Sequence, residues 1–87
     1  MAKVRFSLDA PGARKVFLAG DFTDWQASPL TMRRRKAGTG TFSTSVALSP
    51  GAYQYKFIVD GAWIEDPRAE RVPNPFGTSN SVIKVAR

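Results

Sequence analysis

A two-residue alternation of apolar and polar side chains runs through most of this chain, and short turn signals interrupt it every eight to twelve residues. Val4, Phe6 and Leu8 alternate with Lys3, Arg5 and Ser7; Phe42, Thr44, Val46 and Leu48 alternate with Thr41, Ser43 and Ser45; Tyr53, Tyr55, Phe57 and Val59 alternate with Gln54, Lys56 and Ile58. Period two is the signature of a strand with one buried face. Asp9–Gly12, Ala37–Gly40, Ser49–Gly51 and Asp60–Gly61 supply the turns. Asp-Gly between apolar runs is a strong hairpin signal, so Ala62–Ile64 is expected to fold back on the strand ending at Val59. Lys15–Ala19 is apolar on both faces, as an interior strand would be. Leu30–Lys36 reads as a short strand and Ser81–Val85 as the closing one. No stretch shows a 3.6-residue period. The pattern predicts an all-β fold, an antiparallel sandwich of about seven strands.

Size narrows the function classes. With 87 residues, the chain is expected to be a single domain spanning 1–87. It contains no cysteine and no histidine, which removes thiolate chemistry, disulfides, and the commonest general base and metal ligand. A scaffold this small has little material left for a preorganised catalytic cleft, so a binding module is expected, with no enzyme activity and no cofactor. The adjacent Glu65 and Asp66 would point apart in a strand, and Asp21 and Asp24 suit turns or caps. Neither pair specifies a glycosidase dyad, and Asp21, Asp24 and Asp60 lack calcium-loop spacing. No apolar run approaches membrane-spanning length. The alternating start does not read as a secretory leader, and a cytoplasmic location is the default expectation.

The candidate binding residues are aromatic. Trp25 follows the loop Gly20–Asp24, and Trp63 follows the Asp60–Gly61 turn, so both sit at element edges. Phe6, Phe17, Phe42, Tyr55 and Phe57 are assigned to the interior, leaving little room for two further indoles. An exposed indole is a flat apolar plate suited to a sugar ring or a nucleobase. Lys56 alternates away from Tyr55 and Phe57 and faces outward, and the hairpin would bring Trp63 beside it. Residues 65–80 read as a long surface loop carrying Phe76, Thr78 and Asn80. The run Arg33–Lys36, within a net charge of +6, suits either a solvated strand end or an acidic protein partner. Nucleic acid is not the expected ligand, since no groove-reading helix and no RNA-binding motif is present.

In combination, Gly20-Asp-Phe-Thr-Asp-Trp25, Gly51-Ala-Tyr-Gln-Tyr-Lys-Phe-Ile-Val-Asp-Gly-Ala-Trp63, Asp66-Pro67 and Phe76-Gly-Thr-Ser-Asn80 resemble carbohydrate-binding module family 48 over residues 3–86. This family includes the glycogen-binding domain of the AMP-activated protein kinase beta subunit and the N-terminal domains of isoamylases and branching enzymes. The resemblance implies an immunoglobulin-like sandwich that binds α-1,4-linked glucan without acting on it. It implies that Trp25 and Trp63 stack on glucose rings, and that Lys56, Thr78 and Asn80 hydrogen-bond hydroxyls. Phe76 stands where kinase subunits commonly carry a leucine that inserts against the curved glucan. The Arg33–Lys36 run lies outside the family pattern. A protein-interaction module docking through that basic surface is the competing expectation.

Overall fold

The computed structural model describes residues 2–25, 28–34 and 40–86. Eight antiparallel strands form one curled sheet: β1 (Ala2–Asp9), β2 (Val16–Gly20), β3 (Leu30–Arg34), β4 (Thr41–Leu48), β5 (Gly51–Val59), β6 (Ala62–Ile64), β7 (Glu70–Pro73) and β8 (Ser79–Val85). The strand order is β1-β4-β3-β2-β5-β8-β7, and β6 adds to β5 off that path. β3 makes the corner. Its start pairs with β2 (Val16 opposite Met32), and its end pairs with β4 (Arg33 opposite Ser43). The sheet thereby folds on itself into a sandwich, with β1, β4 and β3 on one side and β2, β5, β6, β8 and β7 on the other.

Alternation fills the space between the two layers. Phe6, Leu8, Met32, Phe42 and Leu48 come from one side, and Val16, Leu18, Tyr55 and Phe57 from the other; all are buried. Tyr55 packs edge-on against Phe6, with ring centroids 4.9 Å apart, and against Phe57 at 5.8 Å. Edge-to-face pairs of this kind add roughly 0.5–1.5 kcal/mol beyond area burial.

Two expectations need correction. Phe17 is not in the core: Val16 and Leu18 point inward, so period two sends Phe17 to the outer face, half-buried and in register with Ile58. Phe22 packs against the core in addition, its ring 5.5 Å from Phe6 and 6.1 Å from Tyr53. Residues 65–80 are not one loop, because Glu70–Pro73 pairs with β8 from Glu70 opposite Val82 to Pro73 opposite Ser79. Proline and two charged residues in four hide this strand from propensity, and it is tolerated because β7 is an edge strand. β8 accordingly begins at Ser79, two residues earlier than expected.

The Asp60–Gly61 hairpin forms as read. Both residues have positive φ (48° and 89°), the geometry of the tight turn that matches strand twist. The Asp60 carboxylate accepts from the backbone N–H of Arg14 (3.0 Å) and Lys15 (2.8 Å), tying the turn to the strand beside it.

A groove on the outer face of the β2–β5 sheet

The candidate binding site follows from the register of β5. One edge of β5 pairs with β2 along its C-terminal half. The opposite edge is divided: Gly51–Tyr55 pair with β8, and Phe57–Val59 pair with β6. Ile58 lies opposite Trp63, and Gln54 lies opposite Val82. Gln54, Lys56, Ile58 and Trp63 therefore share the outer face with Asn80, which is two residues from Val82.

Trp25 reaches the same face from a different element. After Gly20 the chain turns through a single 3-10 turn, Asp21–Thr23. Asp24 and Trp25 follow, both in the left-handed region (φ 55° and 53°). This conformation is costly for residues with a Cβ. Buried Thr23 holds it: its Oγ accepts from the Gly20 N–H (2.9 Å), and its proton is shared between the carbonyls of Gly20 and Trp25, each at 3.1 Å. Gly20 permits the close approach underneath, since a Cβ there would lie 2.6 Å from the Gln54 carbonyl oxygen and 2.9 Å from the Tyr55 Cβ.

The third wall is the β7–β8 turn. Asn74 organises it. Its Oδ1 accepts from the N–H groups of Phe76 (3.0 Å) and Thr78 (3.2 Å), and its Nδ2 donates to Thr78 Oγ1 (2.7 Å) and Asn80 Oδ1 (2.9 Å). Asn80 Nδ2 donates in turn to Gln54 Oε1 (3.0 Å), and Lys56 Nζ donates to Thr78 Oγ1 (3.4 Å). Phe76, at the tip, is 87% exposed.

These walls enclose an open groove of about 600 Å³ lined by Asp21, Trp25, Gln54, Lys56, Trp63, Asn74, Pro75, Phe76, Thr78 and Asn80. All six residues singled out from the sequence line it. Trp63 is 39% exposed and Trp25 is half-buried, so neither indole is swallowed by the core. Three polar lining residues escaped the reading. By its neighbours Asp21 suits a turn or cap, and Gln54 carries only the strand alternation it shares with Lys56. Asn74 carried no signal beyond the asparagine-proline pair of a loop.

Residues Arg33 and Arg34 do not line the groove. Arg34 is committed elsewhere, donating to the Ala13 carbonyl (3.0 Å) with its guanidinium 5.4 Å from the Phe42 ring centroid. Arg35 and Lys36 lie outside the described residues. Among the described residues, no group of three His, Cys, Asp or Glu side chains could hold a metal, and no helix is long and apolar enough to cross a membrane.

A second hollow of about 330 Å³ is lined in part by Tyr55, Asp66 and Ala69 and, from β8, by Val82 and Ile83. Here the Tyr55 hydroxyl donates to Asp66 Oδ2 at 2.7 Å. Burial, then the hydrogen bond to Asp66 and its charge, push the tyrosine well above its ordinary range. This contact ties the segment after β6 to the core.

The family model for the glycogen recognition site of AMP-activated protein kinase matches residues 3–87. The chain belongs to this family of carbohydrate-binding modules. Among curated relatives of the glycogen recognition family, it is 37% identical over 76 residues to the 5'-AMP-activated protein kinase subunit beta-1 of Sus scrofa, covering 87% of this chain and 58% of that protein. The Homo sapiens subunit beta-1 is also 37% identical over 76 residues, of which the match covers 26%. Among solved structures, apo pullulanase from Paenibacillus barengoltzii superposes with a TM-score of 0.61 at 30% identity, covering 94% of this chain and 13% of that one. A mutant of the same pullulanase complexed with maltotetraose gives 0.59 at 31%, covering 93% and 13%. The glycogen recognition module thus spans only part of each protein it matches.

Proposed function

We propose that this chain binds α-1,4-linked glucan, such as glycogen, starch or malto-oligosaccharides, as a non-catalytic, self-contained module. The observation that carries the reading is that two indoles on different elements open onto one groove beside Lys56. A helical glucan presents curved apolar ridges edged by hydroxyls. Trp25 and Trp63 offer plates for two glucose rings. Lys56, Thr78 and Asn80 offer donors and acceptors at the ring edges, and Phe76 offers an apolar edge at the groove mouth. Family membership supports the same ligand class, as does the maltotetraose complex of the related pullulanase.

Stacking at roughly 1–3 kcal/mol per ring, borrowed from aromatic–base pairs, and a few net hydrogen bonds near 1 kcal/mol each add to about 4–8 kcal/mol. That corresponds to a dissociation constant between roughly millimolar and micromolar. Titration with maltoheptaose, followed by tryptophan fluorescence and amide chemical shifts, tests the proposal. Saturable shifts confined to β5, β6, the Trp25 loop and the β7–β8 turn are expected. An absence of shifts up to about ten millimolar sugar removes it.

A further inference from the structure

We infer that Asp21 is a positioning residue that makes Trp25 a fixed stacking plate, and that it withdraws the indole N–H from the ligand in doing so. The inference rests on the glucan reading and assigns a division of labour within that site.

The geometry begins where the β2–β5 ladder ends. The last pair is Gly20 opposite Tyr55. Beyond it β2 becomes the 3-10 turn, and the next N–H of β5 on that side loses its strand partner. Asp21 Oδ2 replaces the missing carbonyl, accepting from the Gln54 N–H at 2.9 Å. The other oxygen, Oδ1, accepts from Trp25 Nε1 at 3.2 Å. A carboxylate only accepts, and here each oxygen takes one protein donor. Main chain and ring are thus restrained separately: Thr23 holds the left-handed backbone at Trp25, and Asp21 holds the indole.

The indole N–H is the only polar group on Trp25's side chain. With it bonded to Asp21, Trp25 presents a face and nothing else. Hydroxyl recognition then falls to the opposite wall, where Lys56, Thr78, Asn80 and Asn74 are linked to one another. Trp63 differs, because its Nε1 has no hydrogen-bond partner among the described residues and is free to meet a hydroxyl. The two tryptophans of the groove are therefore inequivalent: one is a plate, the other a plate with a donor.

Indole N–H resonances of the free protein and affinity for maltoheptaose, measured on wild type, Asp21→Ala and Asp21→Asn, test this together. In the free wild-type protein, the Trp25 N–H should exchange with water more slowly than the Trp63 N–H. Asp21→Ala should erase that difference and weaken maltoheptaose binding about tenfold, the weight of roughly one net hydrogen bond. Asp21→Asn offers one acceptor oxygen to two N–H donors and sets its NH2 against the other, so it should fall between wild type and Asp21→Ala in both exchange and affinity. Asp21→Ala with unchanged exchange and unchanged affinity overturns the inference. Slow exchange retained in Asp21→Ala together with the tenfold loss also overturns it, and makes Asp21 a direct acceptor of sugar hydroxyls. A wild-type protein that protects the Trp25 N–H yet ignores maltoheptaose refutes the glucan reading and leaves the clamp standing.

Discussion

Trp63 stands directly across from Ile58 in the β5–β6 pairing, and so on the same outer face as Lys56, two residues along the central strand. This register, set by the two-residue Asp60–Gly61 turn, joins the aromatic and polar halves of the groove. Moving the pairing by one residue would carry Trp63 to the other face.

Removing that ring should remove binding while sparing the fold, because Trp63 lies on a three-residue strand with all residues exposed. Trp63→Ala is expected to lose about 1–3 kcal/mol of affinity, roughly five- to 150-fold. Its melting temperature should change little. Calorimetric titration with maltoheptaose alongside thermal denaturation checks both halves; a large drop in melting temperature would make Trp63 a structural residue instead.

At Gly20 the converse is expected. An added Cβ meets the Gln54 carbonyl at 2.6 Å, and a backbone oxygen cannot swing aside as a side-chain tip can. Gly20→Ala should cost about 1–3 kcal/mol in overpacking, lowering the melting temperature by roughly 5–20 °C. It should also weaken sugar binding, since the same residue anchors the Thr23 network beneath Trp25. Unchanged melting would show that β2 and β5 can part at no cost.

Alkaline pH should destabilise the protein through Tyr55. Its folded-state pKa is raised by burial, then by Asp66, above the unfolded value of about 10. Below about pH 10 both states keep the proton and stability is full. Above it, the unfolded chain releases the proton first and stability falls, by up to about 1.4 kcal/mol per pH unit for this one group. Comparing melting temperatures of wild type and Tyr55→Phe from pH 7 to 11 isolates the effect. The variant should lose about 1 kcal/mol at neutral pH and show a shallower alkaline decline. Parallel curves would remove Tyr55 as the cause.

Salt should matter little to the proposed ligand. Malto-oligosaccharides carry no charge, so raising sodium chloride from about 50 to 500 mM should change maltoheptaose affinity less than about twofold. A polyanion bound by the basic residues would lose orders of magnitude over the same range. A steep salt slope for maltoheptaose would contradict recognition of a neutral polymer.

Much of this molecule was readable from its residues. Strict alternation at Phe6, Leu8, Phe42, Leu48, Tyr55 and Phe57 specified both the strands and their buried faces, because a pleated chain has only two sides. Asp60–Gly61 announced the hairpin through its demand for positive φ. The resemblance picked out six of the ten residues that line the groove. Elsewhere local signals failed for physical reasons. In Val16–Ala19 every side chain is apolar, so alternation could not say which would point outward, and the layer opposite decided against Phe17. In Glu70–Pro73 the strand exists only because β8 supplies a partner.

The sequence by itself determined the all-β architecture, the positions of the tight turns and the outward direction of Lys56, since each is a property of neighbouring residues and their backbone preferences. Tertiary structure alone decided that Trp25, Trp63 and Phe76 open onto a single groove, and that Asp21 and Asn74 hold its walls. The Trp25 segment, β6 and the β7–β8 turn lie far apart along the chain, and only strand pairing around the central β5 brings them to one face. A carboxylate's partner 33 residues away, as for Asp21 and Gln54, is fixed by the folded sheet and by nothing along the chain.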